Sequence, residues 1–287
     1  MKNSKDKKDS QKDNNFMDSK KEFEKTGNTT KEDLKVKGSV WKRIGSWLKN
    51  LVFPSHIKCI FCGDELNATD ICDTCSNCYA SLPKLDKSCL RCGGPIEDNN
   101  DGVCLNCKTN NFSFHSARSV FPYVDKVVDV IHRFKFGRGK FLCDAMAEYM
   151  CDLLSTWNIS VDIITSVPLH KNREKTRGYN QSKLLAEYIA DKFNLKYIDT
   201  VEKVVDNTAQ ATLDFKSRRE NVKNVYKGIS EAKPEIKGKN VLLIDDIYTT
   251  GATSNAVSEI LKSMSAKEVY VLTFAHSVGE KTNAEIK

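Results

Sequence analysis

The feature that most constrains the fold is the uninterrupted apolar run Val241-Leu242-Leu243-Ile244, which is followed at once by Asp245 and Asp246. Such a run is typical of a strand that is buried on both faces of a parallel sheet. Ligands of open α/β sheets bind in the crevice at the carboxyl ends of such strands. We therefore predict that the two carboxylates project into a ligand-binding crevice.

The residues after the acidic pair have the composition of a phosphate-binding loop: Thr249, Thr250, Gly251, Ala252 and Thr253. Small residues allow backbone N–H groups to converge on a phosphate, and the helix predicted next adds the partial positive charge of its N-terminus. The paired carboxylates can accept hydrogen bonds from both hydroxyls of a ribose or hold a hydrated Mg²⁺. The segment is therefore predicted to bind both ends of a ribose 5-phosphate.

Two other classes of nucleotide-binding protein are disfavoured by the sequence. Paired acids after an apolar strand also occur in Walker-B segments, but the chain has neither Gly-x-x-x-x-Gly-Lys-Ser/Thr nor Gly-x-Gly-x-x-Gly. A solvated turn would explain the two aspartates but not the small, hydroxylated loop that follows them. We therefore expect neither a nucleoside triphosphatase nor a dinucleotide enzyme.

The apolar periodicity beyond residue 112 alternates between helical spacing and short apolar strands. This alternation indicates a mostly parallel sheet with crossover helices, which is an α/β fold. We predict strands at 161–167, 240–245 and 268–274, and helices at about 125–135, 144–156, 181–193 and 254–265.

Nine of the eleven cysteines lie between residues 59 and 107, and eight of them form four Cys-x-x-Cys pairs. A two-residue gap allows both thiolates of a pair to bind one tetrahedral zinc ion, and two pairs complete a closed, structural site. The pairs therefore predict two zinc ions that stabilise the fold and perform no chemistry. The pairs are Cys59 and Cys62, Cys75 and Cys78, Cys89 and Cys92, and Cys104 and Cys107.

The spacing leaves one ligand open. Cys72 also forms a Cys-x-x-Cys step with Cys75, so that either Cys72 or Cys78 can supply a thiolate. Cys143 and Cys151 fall in a helical stretch and are predicted to be core residues. We expect the core of the cysteine module to be separable from that of the sheet.

Composition divides the chain into three predicted segments. Residues 1–38 are charged and polar and bury too little to offset the entropy of ordering, so we predict a disordered tail. Residues 39–110 combine an amphipathic helix at 40–53 with the cysteine module. Residues 111–280 hold the predicted sheet.

The sequence favours a cytoplasmic location. No apolar run approaches the roughly 18 to 20 residues needed to span a bilayer, and the N-terminus lacks the apolar core of a signal peptide. A reducing cytosol favours metal binding over disulfides for the cysteine pairs. The formal net charge of +7 permits an anionic partner such as phosphate or nucleic acid without specifying one.

Residues 244–253 resemble the motif with which type I phosphoribosyltransferases bind phosphoribosyl diphosphate (PRPP). The wider chain resembles the ComF family, whose members are associated with DNA uptake in bacterial competence. The resemblance implies a type I phosphoribosyltransferase-like parallel sheet with an N-terminal double zinc ribbon. It rests on residues 53–54, 75–83, 131–137, 167–169 and 177–181 and on Gln210, Leu213, Arg218 and Asn221.

The resemblance also implies site residues that the pattern alone does not single out. The turn at 166–170 is implied to face the diphosphate, and Lys135 is implied to lie in the site. The predicted PRPP-binding residues are thus Asp245, Asp246, Thr249, Thr250, Gly251, Ala252, Thr253, Val167, Pro168 and Lys135.

The comparison with the family also bears on four single positions. The Leu-Pro step after Cys78 fits the family's spacing, which favours Cys78 over Cys72 as the zinc ligand. Ser166 stands where the family usually has proline, and Tyr179 where it often has phenylalanine. Serine in place of proline at Ser166 could alter the turn that is implied to face the diphosphate. Tyrosine in place of phenylalanine at Tyr179 keeps an aromatic ring.

The basic stretch from Lys171 to Arg177 is predicted to be a loop. Its cationic side chains can close over a diphosphate and neutralise the charge that accumulates as the C1 bond breaks. The predicted catalytic residues are Asp245, Asp246 and Arg177.

Two functions follow from these expectations. The first is a protein that binds PRPP and Mg²⁺ and handles incoming single-stranded DNA during natural transformation, together with proteins of the competence machinery. The alternative is a phosphoribosyltransferase that acts on a nucleobase-like acceptor in nucleotide salvage. A zinc ribbon where a transferase would carry its acceptor-recognising hood favours the first. Basic residues beside the cysteines are predicted to contact the DNA backbone: Lys84, Lys87, Arg91 and Lys108.

Overall fold

A computed structural model describes residues 57–278 apart from 69, 86, 97–100, 138 and 207–224. The predicted tail at 1–38 and the predicted helix at 40–53 lie outside the described residues. The matches to the ComF family between residues 210 and 221 also lie outside them. The segment boundaries predicted from composition stay predictions.

Among the described residues, the main sheet has five strands, all parallel, in the order β1-β7-β6-β2-β3. A separate antiparallel pair is formed by β4 and β5. The strands are β1 (Ser116–Pro122), β2 (Ile163–Ser166), β3 (Lys196–Tyr197), β4 (Val201–Lys203), β5 (Tyr226–Gly228), β6 (Asn240–Tyr248) and β7 (Glu268–His276).

Helices connect the parallel strands, as the alternating periodicity predicts. Within the described residues, no helix combines the length and the apolar character needed to cross a membrane. The α-helices are α1 (Ser76–Ser81), α2 (Leu105–Thr109), α3 (Asp125–Phe136), α4 (Cys143–Thr156), α5 (Lys171–Arg177), α6 (Gln181–Lys192), α7 (Lys233–Ile236) and α8 (Ala252–Ser263), with 3₁₀ turns at Lys140–Leu142 and Ser230–Ala232.

The apolar run Val241–Ile244 forms the first half of the central strand β6, and all four of its side chains are fully buried. Parallel pairing to β2 on one side and β7 on the other satisfies its backbone. Successive side chains of a strand point to opposite faces. Leu242 accordingly belongs to one hydrophobic core and Leu243 to a second one. The predicted α/β fold with a buried parallel sheet is confirmed.

Each core also includes one group of cysteines. Cys59, Cys75 and Cys78 pack in the core that contains Leu242, while Cys89, Cys92 and Cys107 pack in the core that contains Leu243. The expectation of a separable cysteine core is therefore wrong for the described residues. The physical reason is size, because a module this short gains enough buried area only by sharing the two faces of the sheet.

Two local predictions also differ from the structure. The stretch Lys171–Arg177 is helix α5 and not a loop, since His170 Nδ1 accepts from the N–H of Asn172 at its start and Gly178 ends it in the left-handed conformation. Strand β6 continues to Tyr248, so the acidic pair lies within the strand and not directly after it.

Candidate functional site

Asp245 is a half-buried carboxylate in the second half of β6. Its Oδ1 accepts hydrogen bonds from the hydroxyl of Ser182 at 2.8 Å and from the backbone N–H of Asp246 at 2.9 Å. Ser182 lies in the first turn of α6, where Asn180 caps the helix by accepting from the Ser182 N–H at 3.1 Å. Helix α6 therefore holds the carboxylate in one orientation.

Burial raises the pKa of Asp245 from 3.8 to about 7, and the neighbouring carboxylate of Asp246 adds to the shift. The hydrogen bond from Ser182 and the positive charge of Lys135 act in the opposite direction. With its pKa raised in this way, the Asp245 carboxyl group keeps its proton to a higher pH than an exposed aspartate does. A cation or a pair of hydroxyl donors placed here would favour the ionised form.

Asp246 is buried and forms an ion pair with Lys135, whose Nζ lies 3.1 Å from Asp246 Oδ1. The side chain of Lys135 is 24 % exposed. Lys135 is the penultimate residue of α3, so the C-terminal end of this helix contacts the second half of strand β6. The structure brings Lys135 next to Asp246, and the place of Lys135 in a PRPP site stays a prediction.

The turn after β2 lies beside the acidic strand. The N–H of Val167 donates to the carbonyl of Ile244 at 2.9 Å, and Asn180 Nδ2 donates to the carbonyl of Val167 at 3.1 Å. The hydroxyl of Ser166, where the family usually has proline, has Tyr197 as its hydrogen-bond partner at 2.9 Å. The turn that carries Val167 and Pro168 is therefore anchored to β6 and to the start of α6.

Arg177 ends helix α5 close to the ion pair. Its Nη1 donates to Gln181 Oε1 at 2.6 Å, and its guanidinium carbon lies 5.1 Å from the ring centre of Phe136. Burial lowers the pKa of Arg177, and the charge of Asp246 opposes this shift. The hydroxyl of Tyr179, where the family often has phenylalanine, donates to the carbonyl of Phe134 at 2.5 Å and so ties the Arg177 segment to α3.

The predicted phosphate loop leads directly into α8. Gly251 has φ +80° and is buried, and a Cβ atom at this position would overlap the hydroxyl of Tyr248 and meet Phe112 at 3.1 Å. Only glycine fits both the left-handed backbone and the space. Helix α8 begins at Ala252, whose N–H donates to Thr250 Oγ1 at 3.3 Å, and the N-cap residue Gly251 has no side chain with which to cap the helix. The 12-residue helix begins directly after the loop, and the first N–H groups of a helix have no backbone partners within it.

Two residues that the sequence does not single out lie beside the acidic pair. Burial raises the pKa of Tyr226 to about 12, with Asp245 adding to the shift and a hydrogen bond with Thr253 opposing it. Burial also lowers the pKa of Lys203, whose Nζ lies 5.6 Å from the ring centre of Tyr226. Both residues are on the short β4-β5 pair, which has no periodic pattern long enough to predict.

The eight paired cysteines form two clusters, and within each cluster all Sγ atoms lie within 4.8 Å of one another. Cys62 and Cys75 have their Sγ atoms 3.6 Å apart, and for Cys92 and Cys104 the distance is 3.7 Å. Tetrahedral zinc with bonds of about 2.3 Å places its sulfur ligands about 3.8 Å apart, whereas a disulfide requires about 2.05 Å. The donor set and its spacing therefore fit zinc.

The remaining three cysteines lie outside these clusters. The first cluster contains Cys78 and not Cys72, which agrees with the choice favoured by the resemblance. Burial raises the pKa of Cys72 to about 11 and that of Cys143 and Cys151 to about 12. Cys143 and Cys151 are buried core residues, as predicted.

An aromatic layer connects the second cysteine cluster to the phosphate loop. The rings of Phe112 and Phe114 stack at 4.9 Å, Phe114 meets Tyr248 edge-on at 6.1 Å, and Tyr248 stacks on His276 at 4.7 Å. Gly94, in the knuckle after Cys92, leaves no room for a Cβ atom against the His276 ring. The cluster and the loop thus pack on the same layer of rings.

Comparison with known proteins agrees with this description. Residues 181–286 match the family described as phosphoribosyl transferase domain. A solved structure, the glutamine PRPP amidotransferase from B. subtilis complexed with ADP and GMP, is 19 % identical and covers 50 % of this chain and 30 % of that one, with a TM-score of 0.36. The family match and the cysteine clusters together describe the chain as a protein with a phosphoribosyl transferase domain and two four-cysteine clusters.

Two curated proteins are similar to this chain over about three quarters of its length. Competence protein F of Haemophilus influenzae is 27 % identical over 230 residues, which are 77 % of this chain and 98 % of that protein. Competence protein ComFC of Streptococcus pneumoniae is 27 % identical over 231 residues, or 74 % of this chain and 97 % of that protein. The resemblance to the ComF family is confirmed.

Proposed function

We propose that the chain binds PRPP together with Mg²⁺ in the crevice at the end of β6, and that it acts in handling incoming single-stranded DNA during natural transformation. The observation that carries the proposal is the convergence of three elements. Helix α6 holds Asp245 through Ser182, helix α3 holds Asp246 through Lys135, and the loop at Gly251 opens helix α8 beside them.

Each end of the ligand has its own partners in this arrangement. The ribose hydroxyls donate to the carboxylates of Asp245 and Asp246, and the 5-phosphate accepts from the N-terminus of α8 and from the threonines of the loop. The diphosphate faces the turn at Val167, with Lys135 and Arg177 as its cationic neighbours. Contacts to the ribose hydroxyls, the 5-phosphate and the diphosphate would thus fix the position of the ribose atom C1.

The acidic pair also fits a hard cation, because carboxylate oxygens are the ligands that Mg²⁺ prefers. Bound with the ligand, Mg²⁺ would neutralise part of the charge on the diphosphate. Asp245 responds to this charge, since a carboxyl group whose pKa is raised to about 7 loses its proton when a cation or hydroxyl donors arrive.

Transfer of the phosphoribosyl group is possible in this geometry. The bond between C1 and the diphosphate oxygen would break with its electron pair leaving on diphosphate, while an acceptor supplies the pair for the new bond to C1. Arg177 and Lys135 would stabilise the leaving group. The same steps with a free nucleobase as acceptor describe the second candidate function, nucleotide salvage.

The zinc ribbons are proposed to be structural in both functions. Each cluster of four cysteines would hold one zinc ion in a closed site. Lys126 Nζ lies 3.3 Å from Cys78 Sγ and would balance thiolate charge. The names of the curated relatives, which are competence proteins, support the function in DNA handling over salvage. We keep the predicted cytoplasmic location as part of this proposal.

The predicted DNA-contacting surface of the ribbon needs correction at Arg91, while Lys108 remains a candidate with an exposed side chain. Arg91 donates to the backbone carbonyl of Phe112 at 2.5 Å, and Lys108 pairs with Asp101 at 2.7 Å. Arg91 therefore holds the ribbon against the sheet and does not present its charge to a phosphate backbone. Lys84 and Lys87 are exposed and remain candidates.

A genetic comparison tests the function. A strain without the gene, or with Asp245→Asn and Asp246→Asn, should lose transformation while it grows normally on supplied nucleobases. Lost salvage with intact transformation would instead establish the second candidate function. Complementation with the unchanged gene controls for effects on neighbouring genes.

A further inference from the structure

A cavity of about 630 Å³ opens beside the Lys135–Asp246 ion pair and is lined by the end of α3, by α5, and by Tyr179 and Asp206. Its size falls within the range of roughly 300 to 1,000 Å³ that is usual for small-molecule sites. The ribose and phosphate anchors described above account for Lys135 and Arg177 but leave the rest of this lining without a role.

The most unusual lining residue is Phe136, whose ring is 66 % exposed. It is the last residue of α3, directly after Lys135, so that one helix end supplies both a cation for the crevice and an aromatic ring for the cavity. The guanidinium group of Arg177 lies 5.1 Å from the ring centre and is held there by Gln181. A planar aromatic ring and a planar cation thus form one wall.

The rest of the lining is rich in hydrogen-bonding groups. Asn172 and Thr176 offer exposed polar side chains from α5, and Arg173 offers a second guanidinium group. Arg173 is partly neutralised, since its Nε lies 3.4 Å from Asp206. The cavity therefore combines stacking surface, neutral polar groups and moderate positive charge.

A nucleotide is a ligand that matches all of these properties of the cavity. A base has a π-face that stacks on an aromatic ring or an arginine plane, and its edge accepts and donates hydrogen bonds. The accompanying phosphate favours a positively charged lining. Arg173 adds its charge to that of Arg177 and is only partly neutralised by Asp206, so the cationic lining favours a base that carries phosphate over a free, neutral base.

We propose that this cavity binds one base of single-stranded DNA, stacked on Phe136, next to the PRPP crevice. The inference deepens the proposed function, because it gives the incoming strand a defined subsite on the phosphoribosyl domain. The expected affinity of one such subsite is modest, and the arginines make it dependent on salt.

The chain provides a matched control for the test. Phe141 is 69 % exposed, like Phe136, but it does not line the cavity. Binding of fluorescently labelled oligo(dT) to the full-length, zinc-loaded protein would be compared for Phe136→Ala, Phe141→Ala and the unchanged protein. Phe136→Trp keeps a stacking surface and serves as the conservative variant.

Loss of one stacked base predicts about tenfold weaker oligo(dT) binding for Phe136→Ala. Phe141→Ala should bind like the unchanged protein, and Phe136→Trp should restore binding. Equal affinity for the two alanine variants, or no oligo(dT) binding by the unchanged protein, would overturn the inference. Thermal unfolding of each variant checks that the fold is kept.

Failure of this inference is separable from failure of the proposed function. Calorimetric titration of PRPP and Mg²⁺ into the same preparation of unchanged protein tests the crevice without DNA. A protein that binds PRPP but shows no effect of Phe136→Ala on oligo(dT) would keep the crevice and lose only the base subsite.

Discussion

The ammonium group of Lys135 lies 3.1 Å from Oδ1 of Asp246, and this ion pair joins the end of α3 to the central strand. Asp246 is buried, so its charge needs a partner to offset the cost of desolvation. The side chain of Lys135 is also partly exposed. In the proposed site, Lys135 thus has a structural role towards Asp246 and a ligand-binding role towards the diphosphate.

Lys135→Ala should therefore weaken PRPP binding and also lower the stability of the protein. Loss of a charge-assisted contact corresponds to roughly 1 to 3 kcal/mol, or about 5- to 150-fold in the PRPP dissociation constant. Lys140→Ala removes an exposed lysine nearby and is the control. Equal PRPP affinity for the two variants, measured by calorimetry, would exclude Lys135 from the site.

The raised pKa of Asp245 predicts a pH dependence of stability. Because its pKa is raised from 3.8 to about 7, the folded protein binds more protons than the unfolded chain between these values. The contribution of Asp245 to stability is then fully present below about pH 4 and is lost as the pH rises through 7. Asp245→Asn should flatten this part of the stability curve measured by urea unfolding. An unchanged slope between pH 4 and 7 would contradict the assignment.

Zinc removal should destabilise the sheet as well as the ribbons, because the cysteine clusters share both of its cores. Metal analysis should find two zinc ions per chain. Cys62→Ser, which changes a ligand in the first cluster, should lower the zinc content, while Cys72→Ser should not. Two zinc ions in both variants would contradict the ligand assignment, and a near-UV circular dichroism spectrum unaffected by a chelator would contradict the shared cores.

Gly251→Ala should be more damaging than Gly238→Ala, although both glycines have positive φ. At Gly238 nothing lies within 4 Å of an added Cβ atom, so only the backbone strain of roughly 1 to 2 kcal/mol applies. At Gly251 the new atom also overlaps the Tyr248 hydroxyl and so displaces the phosphate loop. Urea unfolding and PRPP titration of both variants measure the difference. Equal losses of stability and of PRPP affinity in the two variants would contradict the proposed role of the close packing around Gly251.

The sequence predicts the parts of this protein that depend on local pattern. The run Val241–Ile244 has one stable environment, a buried parallel strand, and the Cys-x-x-Cys spacing brings two thiolates to one point regardless of the surrounding fold. Asp245 and Gly251 can be identified as site residues because the residues of the predicted ribose- and phosphate-binding segment follow one another in the chain. These features depend on short contiguous segments, so they can be predicted from the sequence.

The parts that the sequence does not predict depend on packing between distant segments. Ser182 lies 63 residues from its partner Asp245, and only the packing of α6 against β6 brings them together. Lys203 and Tyr226 reach the site on strands of three residues each. The end of helix α5 is predictable from sequence, since Gly178 directly after Arg177 is a common helix-ending signal.

The most direct test of the proposed site is calorimetric titration of PRPP with Mg²⁺ into the unchanged protein and into the variant carrying Asp245→Asn and Asp246→Asn. Each substitution removes a charged acceptor worth roughly 1.5 to 3 kcal/mol, so the double variant should bind at least about a hundredfold more weakly. At pH 7 binding to the unchanged protein should also release protons, because the ligand favours ionised Asp245. Equal affinity of the two proteins would contradict the account.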